Sequence, residues 1–323
     1  MNNNMKDRYS RQVLLKEIGE DGQSRLNHAK VAIVGLGALG TVAAELLTRA
    51  GIGSLLLIDR DVVEESNLQR QILFTEKDVG KSKSATAAEK LKEINSSMKI
   101  ESHLLHLDSK NINLLQNPDL VLDCTDNLET RFLINDYCKR ENIPWIYAAA
   151  IKNYGCVMPI LPEGPCLSCF LQETNLETCD VAGVLNTITA SIASLQVTLA
   201  LKILLKKEIE PALYHYDIWN QQLRVLKIKK REICPACAGN YIYLNKRSNA
   251  KIVRFCSAGK YQIRGPKVNL EKVKERWKKI GLVHNEGGAL QFKNILLFED
   301  GRALITADSE EEAQSIYSRY VGN

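Results

Sequence analysis

The sequence has no long uninterrupted apolar run. Its most apolar stretch, "SIASLQVTLALKILL", is broken by Gln196 and Lys202 and has helical spacing, while the opening "MNNNMKDRYSRQ" is polar. A membrane-spanning helix needs about 20 mostly apolar residues and a secretory signal needs an apolar segment. Neither is expected here, so the expected compartment is the cytoplasm. Internal repeats and low-complexity tracts are also absent. Charge of one sign is scarce overall, with a net of +5. It is uneven, however: residues 227–279 hold 16 Lys and Arg against 3 Asp and Glu. No nucleic-acid motif accompanies that patch, so a solvated basic surface is the simplest reading and no nucleic-acid partner is expected.

What is present is an ordinary globular composition. At 323 residues and 45% hydrophobic, the chain can bury a full core, and its length suggests one large α/β domain plus a smaller unit. Nine cysteines without a secretion signal point to reduced thiols or metal ligands rather than disulfides.

Short β-rich runs (Val31–Gly35, Ser54–Asp59, Leu120–Cys124, Trp145–Ala149) alternate with helical segments (Leu39–Ala50, Ser84–Ile94, Thr130–Lys139). That alternation predicts a Rossmann-like, doubly wound, mainly parallel sheet with ligands at the strand C-terminal ends. From Met158 to Asp180 the Pro, Gly and Cys content predicts a crossover loop. A long apolar helix from about Thr187 to Leu205 follows, then a strand pair at Leu213–Ile218 and Leu223–Ile228. After Gly239 the pattern reads strand, helix, two strands joined at Glu299-Asp300-Gly301, helix. The expected division is residues 1–240 for a nucleotide-binding domain and 241–323 for a small α+β appendage.

Gly35-Leu-Gly37-Ala38-Leu-Gly40 follows a strand and opens a helix, a pattern whose backbone N–H groups receive phosphate. Asp59, at the end of the next strand, is placed for ribose hydroxyls. These features fit hydride transfer and adenylation equally. The run "DRDVVEESNLQRQILF" separates them, because a nicotinamide enzyme has no need of Arg70 and Lys83 near a triphosphate. A carboxylate nucleophile is already ionised at neutral pH, so adenylyl transfer needs positioning and cationic stabilisation, which these two residues supply. Asn67 and Gln69 can add neutral hydrogen bonds. Asp126 in "LDCTDN" can hold Mg²⁺ near the phosphates. Asp61, Ser66 and Asn127 flank these positions and complete the candidate set. Simpler readings stand beside them: Asp126 as a helix N-cap, Arg70 and Lys83 as solvated cations.

Cys166-Leu-Ser-Cys169 and Cys234-Pro-Ala-Cys237 form two CxxC pairs. Four thiolates saturate a tetrahedral Zn²⁺ and leave no position for water, so such a zinc is structural; a redox-active or merely reduced set is the alternative. Cys179 lies outside both pairs, in a loop where a lowered pKa would make it a nucleophile. Cys124, Cys138, Cys156 and Cys256 read as core thiols. His103 and His106 lack companions that would complete a metal set.

In that order, "RYSRQ", "GLGALG", "SNLQRQ", "GKSK", "CTDN", "PCLSC", "TCDVAGV" and "CPAC" resemble the ThiF/MoeB group of the ubiquitin-activating-enzyme-like adenylyltransferases, with a tail similar to Bacillota ThiF-type proteins. The resemblance covers roughly residues 8–238. It implies ATP- and Mg²⁺-dependent adenylation of the C-terminal glycine of a ubiquitin-fold sulfur carrier, with ThiS, for thiamine thiazole synthesis, as the leading reading and MoaD, for molybdopterin, as its nearest rival. By motif match Asp59 binds ribose, Asn67, Arg70 and Lys83 bind phosphates, and Asp126 binds the metal. Arg11 matches an arginine that reaches the partner subunit's ATP, which implies a homodimer; a surface or dimer ion pair is the plainer reading. Ala38 replaces a glycine frequent in the family. Cys179 matches a position implicated in covalent linkage to the carrier. No rhodanese-like loop is present, so the sulfur donor is expected to be a separate protein. The basic entry to the tail (Lys246, Arg247, Lys251, Arg254) could meet an acidic carrier face. The rival readings are activation of a carboxylate on modified tRNA, a non-catalytic nucleotide-binding module, and a nicotinamide dehydrogenase, which leaves most motifs unused.

Overall fold

The computed structural model describes residues 8–171, 182–245, 252–254, 260–286 and 288–322. Cys179, Cys256, Lys246, Arg247 and Lys251 lie outside them. The chain falls into two compact units, one reaching Arg247 and the other built on Ser248–Asn323.

A parallel strand covered on both faces needs apolar residues at successive positions, and the first strands have them. β1 (Lys30–Val34) sends Val31 and Ile33 into one core and Ala32 and Val34 into another; β2 (Ser54–Asp59) divides Leu55 and Leu57 from Leu56 and Ile58. The remaining strands are β3 (Lys99–Leu104), β4 (Leu120–Asp123), β5 (Trp145–Ile151), β6 (Tyr154–Ile160), β7 (Ala212–Asp217) and β8 (Gln222–Lys227). They complete a sheet of order β3-β2-β1-β4-β5-β6-β7-β8. β1 to β5 run parallel, and β6, β7 and β8 join antiparallel. Helices α1 (Gly19–His28), α2 (Ala38–Ala50) and α3 (Lys83–Ile94) contribute to the first core, α4 (Leu128–Glu141) to the second, and α5 (Asn186–Leu204) again to the first. The mixed, mainly parallel Rossmann-like sheet is the fold the sequence pattern predicts.

α5 is the one helix among the described residues long and apolar enough to cross a membrane by composition, but its inward face belongs to the core. Gln196 on that face is fully buried, and its Nε2 donates to the carbonyls of Asp123 (2.9 Å) and Ile146 (3.1 Å). The helix therefore pins the ends of β4 and β5.

Two expectations need correction. The predicted loop from Met158 begins too early, because β6 continues to Ile160 and pairs with the whole of β5, Pro159 facing Ile146. β3 is an edge strand that the apolar pattern did not reveal. Within the predicted loop, Leu167–Phe170 forms one helical turn.

The second unit contains β9 (Ile252–Arg254), β10 (Lys260–Arg264), α6 (Leu270–Lys278), β11 (His284–Glu286), β12 (Ala289–Phe292), β13 (Ile295–Phe298), β14 (Arg302–Thr306) and α7 (Glu310–Tyr320). Its strands form an antiparallel sheet of order β11-β12-β13-β14-β10-β9. This is α+β, but with more strands than expected. The first predicted strand divides into β9 and β10, and the next two divide into β12, β13 and β14, with Lys293 turning the chain at φ 51°. The core gathers on Trp277, which stacks on Phe292 at 5.0 Å and donates from Nε1 to the Tyr320 carbonyl at 2.9 Å.

Asp136 of α4 is buried and accepts the Tyr243 backbone N–H at 2.8 Å, while Phe132 stacks on the Tyr243 ring at 4.9 Å. Burial raises its pKa to about 6, against the hydrogen bonds it accepts. A carboxyl whose folded pKa exceeds its unfolded value keeps its proton better when folded, so stability rises as pH falls from about 6 towards 4. Asp136→Asn retains an acceptor but cannot titrate. Thermal melts should show the wild type gaining on this variant by about 2 kcal/mol between pH 7 and pH 4.5; parallel pH profiles would remove Asp136 as the cause.

Candidate active site and metal centre

After β1 the chain passes to β2 and β3 on one side, then returns to β4 on the other. The switch point is therefore between β1 and β4, where open α/β sheets form their ligand crevice. The glycine turn follows β1 and the Cys124–Asn127 turn follows β4, so both reach that crevice.

Their contact is close enough to dictate residue type. Gly35 has φ +91°, and a Cβ there would lie 2.6 Å from the Cys124 carbonyl oxygen. At Gly40 a Cβ would lie 1.9 Å from the Gly35 carbonyl oxygen, which no side chain can tolerate. Gly37 is the N-cap of α2 and Ala38 its first residue, so the added methyl sits on ordinary helical backbone. The N-terminus of α2 thus presents unpaired N–H groups to the crevice, suited to phosphate.

Asp59, at the end of β2, braces this turn. Its Oδ2 accepts the Leu36 N–H at 2.5 Å and its Oδ1 the Asp61 N–H at 2.7 Å. Burial pushes the carboxyl up, and nearby Lys83 opposes that shift. A carboxylate offers about four acceptor sites, so both oxygens retain capacity for a hydroxyl. Lys83 is buried at the start of α3, its N–H bonded to the Asp61 carbonyl (3.0 Å) and its Nζ 3.7 Å from Asp61 Oδ2.

In the connecting segment, Asn67 is buried and its Oδ1 accepts the Glu64 N–H at 3.2 Å. Ser66 and Gln69 are exposed. Arg70 is half-buried, with Nη1 donating to the Ser66 carbonyl at 2.9 Å. Gln71, absent from the sequence-derived site set, is buried, and its Oε1 lacks a hydrogen-bond partner among the described residues. Its Nε2 would lie 3.9 Å from a Cβ placed on Gly37, so this amide borders the glycine turn. Its only sequence signal is its place at the end of "SNLQRQ".

Asp126 is exposed beyond β4. It is not the helix N-cap: Asn127 caps α4, accepting the Thr130 N–H at 3.0 Å, so the oxygen of Asn127 is already used. An exposed carboxylate with no hydrogen bond among the described residues, beside a phosphate-type turn, fits a hard cation such as Mg²⁺.

Arg11 is far from this crevice within its own chain. The short helix Ser10–Val13 is tied down by its neighbours: Gln12 bonds the Ala50 carbonyl at 3.0 Å, Arg8 the Ile94 carbonyl at 2.8 Å, and Asn95 donates to the Tyr9 hydroxyl at 3.0 Å. Ala50 and Ile94 end α2 and α3, whereas the glycine turn and Lys83 begin them. A 13-residue helix spans about 20 Å, and Arg11 itself is exposed.

The two CxxC pairs converge. Cys166 Sγ lies 3.9 Å from Cys169, 3.5 Å from Cys234 and 3.5 Å from Cys237, and Cys169 lies 3.6 Å from Cys237. A tetrahedron with Zn–S bonds of about 2.3 Å has edges of about 3.8 Å. The four-cysteine cluster therefore fits zinc in both donor set and size. Cys166 and Cys234 are buried in the second core. Among the described residues no other His, Cys, Asp and Glu group gathers in this way; His103 pairs with Glu101 at 2.7 Å and His106 meets Arg60 at 3.3 Å. Cys124 and Cys138 are core thiols and Cys156 is half-buried.

Residues 9–236 match the model of the ThiF family. The chain is 37% identical to the sulfur carrier protein ThiS adenylyltransferase of Bacillus subtilis, over 98% of its own length and 100% of that protein. It is 39% identical to the protein of that name in Escherichia coli, over 72% of this chain and 95% of the other. A crystal structure of Escherichia coli MccB with ATP shares the fold, with a TM-score of 0.65 and 24% identity over 73% of this chain and 75% of that one. By the family match across the first unit and the full-length likeness to the Bacillus protein, this chain belongs to the ThiF family.

Proposed function

We propose that this protein is an adenylyltransferase that uses ATP and Mg²⁺ to activate the C-terminal glycine of a ubiquitin-fold sulfur carrier of the ThiS type. The observation that carries the reading is the meeting, at one switch point, of the glycine turn and the Asp126 turn, in a chain alike throughout its length to a ThiS adenylyltransferase.

The carrier's carboxylate oxygen attacks the α-phosphorus of ATP. A new C–O–P bond forms as the bond to the bridging oxygen breaks, and pyrophosphate leaves with that electron pair. The N-terminus of α2 holds phosphate oxygens, and Asp59 takes the ribose hydroxyls. Arg70 and Lys83 stabilise the charge developing on the α-phosphate and the leaving group. Bound magnesium supplies further neutralisation of phosphate charge, and Asp126 would hold it. Gln71, whose amide nitrogen borders the glycine turn, joins Asn67 as a neutral partner. The four-cysteine site is structural, since four thiolates leave no place for a reacting group. Arg11 acts across a homodimer, which its separation from its own crevice supports. Cys179 belongs to the later sulfur-transfer step, with sulfur supplied by another protein.

Carrier-dependent exchange of labelled pyrophosphate into ATP tests the reading. Exchange is expected with a ThiS protein ending in Gly-Gly and not with MoaD, and Cys179→Ser is expected to retain it. Exchange with MoaD alone would transfer the protein to the other carrier; exchange with neither would leave nucleotide binding without this chemistry.

A further inference from the structure

We propose that Arg131, Asp123 and Thr125 form a buried clamp whose task is to position the carboxylate of Asp126 for magnesium. This rests on the proposed function above, in which Asp126 holds that ion.

Arg131 lies one turn into α4, where it is buried and reaches back under the turn that precedes its own helix. Its Nη2 donates to the Thr125 carbonyl and, at 3.3 Å, to that of Ala148; its guanidinium lies 5.1 Å above the Tyr147 ring. Its Nε faces Asp123 Oδ2 at 3.3 Å. That contact is an ion pair without hydrogen-bond alignment, since neither atom has a hydrogen-bond partner among the described residues. Asp123, fully buried at the end of β4, uses Oδ1 to accept both the Thr125 N–H (3.0 Å) and the Thr125 hydroxyl (2.7 Å).

Thr125 thus has every polar atom held: its N–H and hydroxyl by Asp123, its carbonyl by Arg131. On the other side of Asp126, Asn127 is fixed by capping α4. Between two immobilised neighbours sits Asp126, exposed and without a hydrogen bond among the described residues. A buried ion pair is a poor source of stability, because apolar residues of the same volume usually do as well. It does fix geometry, and Mg²⁺ demands near-ideal octahedral coordination at about 2.0–2.1 Å. Opposite charges in the clamp also cancel, leaving Asp126 as the net charge of the turn. Gln196 steadies the base of the device through the Asp123 carbonyl.

The test measures ATP binding calorimetrically at stepped Mg²⁺ concentrations, without carrier and therefore without turnover. Arg131→Lys keeps the charge and loses the two-carbonyl reach; Thr125→Val keeps the shape and loses the hydroxyl. Each is expected to raise the Mg²⁺ needed for half-maximal ATP binding by about 10–100-fold, as losing a partner that orients a metal ligand does. In an Asp126→Asn background neither substitution should change that requirement further, since the two act through one carboxylate. A purely structural role predicts the same shift with or without Asp126, and that result overturns the inference. So does an unchanged Mg²⁺ requirement in the single variants. If Arg131→Lys does not fold, Thr125→Val decides alone. Wild-type protein that binds no ATP at any Mg²⁺ concentration overturns the proposed function as well, which separates the two failures.

Discussion

Arg70→Ala and Asp126→Ala are each expected to abolish carrier-dependent pyrophosphate exchange while the protein keeps its melting temperature. The loss expected is about 10³-fold or more, roughly 4 kcal/mol of transition-state stabilisation, because cationic and metal contacts act where phosphate charge develops. The fold is untouched for a structural reason. Arg70 is half-buried with one side-chain hydrogen bond among the described residues, to a carbonyl four residues earlier, and Asp126 is exposed beyond the strand. Substitutions at such positions usually change stability by no more than about 0.5 kcal/mol. Exchange assays paired with thermal melts check both halves, and wild-type exchange by either variant would withdraw that residue from the site. The same variants test Arg11. If it serves the other subunit, Arg11→Ala and Arg70→Ala are each inactive alone but recover exchange when mixed and allowed to trade subunits, because one hybrid site is then intact. Mixtures that stay inactive would return Arg11 to the surface or to a dimer ion pair.

Removing zinc from the four-cysteine site is expected to unfold the cysteine end of the first unit. Purified protein is expected to hold close to one zinc per chain, and a strong chelator should release it together with a large drop in thermal stability. Structural zinc sites contribute on the order of 10 kcal/mol in small metal-dependent folds. Here the ion would tie residues after β6 to residues after β8. Without it, four thiolates or thiols would crowd at 3.5–3.9 Å beside Trp145 and the rest of the second core. Cys166→Ser should reproduce the loss, since Cys166 touches all three partners and is fully buried. Metal analysis that finds no zinc in folded protein would point instead to a reduced or redox-active set.

The parts of the site visible in the sequence are those that depend on local spacing. The glycine turn announces itself because close approaches at Gly35 and Gly40 exclude side chains within six residues, and each CxxC pair because two ligands must share one short turn. β6 was hidden for the converse reason. It contains Gly155 and Pro159, residues that argue against a strand in isolation. Pairing with all of β5 overrides that preference, and Gly155 is required because a Cβ there would meet Ile192 at 2.6 Å. β3, "KIESHL", lies at the sheet edge, where burial is partial and the apolar signal is weak.

Sequence alone determined the doubly wound class, the glycine turn after the first strand and the two CxxC pairs, because each follows from residue type at short range. Tertiary structure decided what needs distant segments to meet. It joined two CxxC pairs 65 residues apart into one tetrahedral group and gave the helix cap to Asn127, leaving Asp126 exposed. It also set the short helix that carries Arg11 against the far ends of α2 and α3, and made Arg131 the buried partner of Asp123. A side chain's type fixes what it can bond; only the packing of strands and helices around it fixes which partner it finds and whether water can compete.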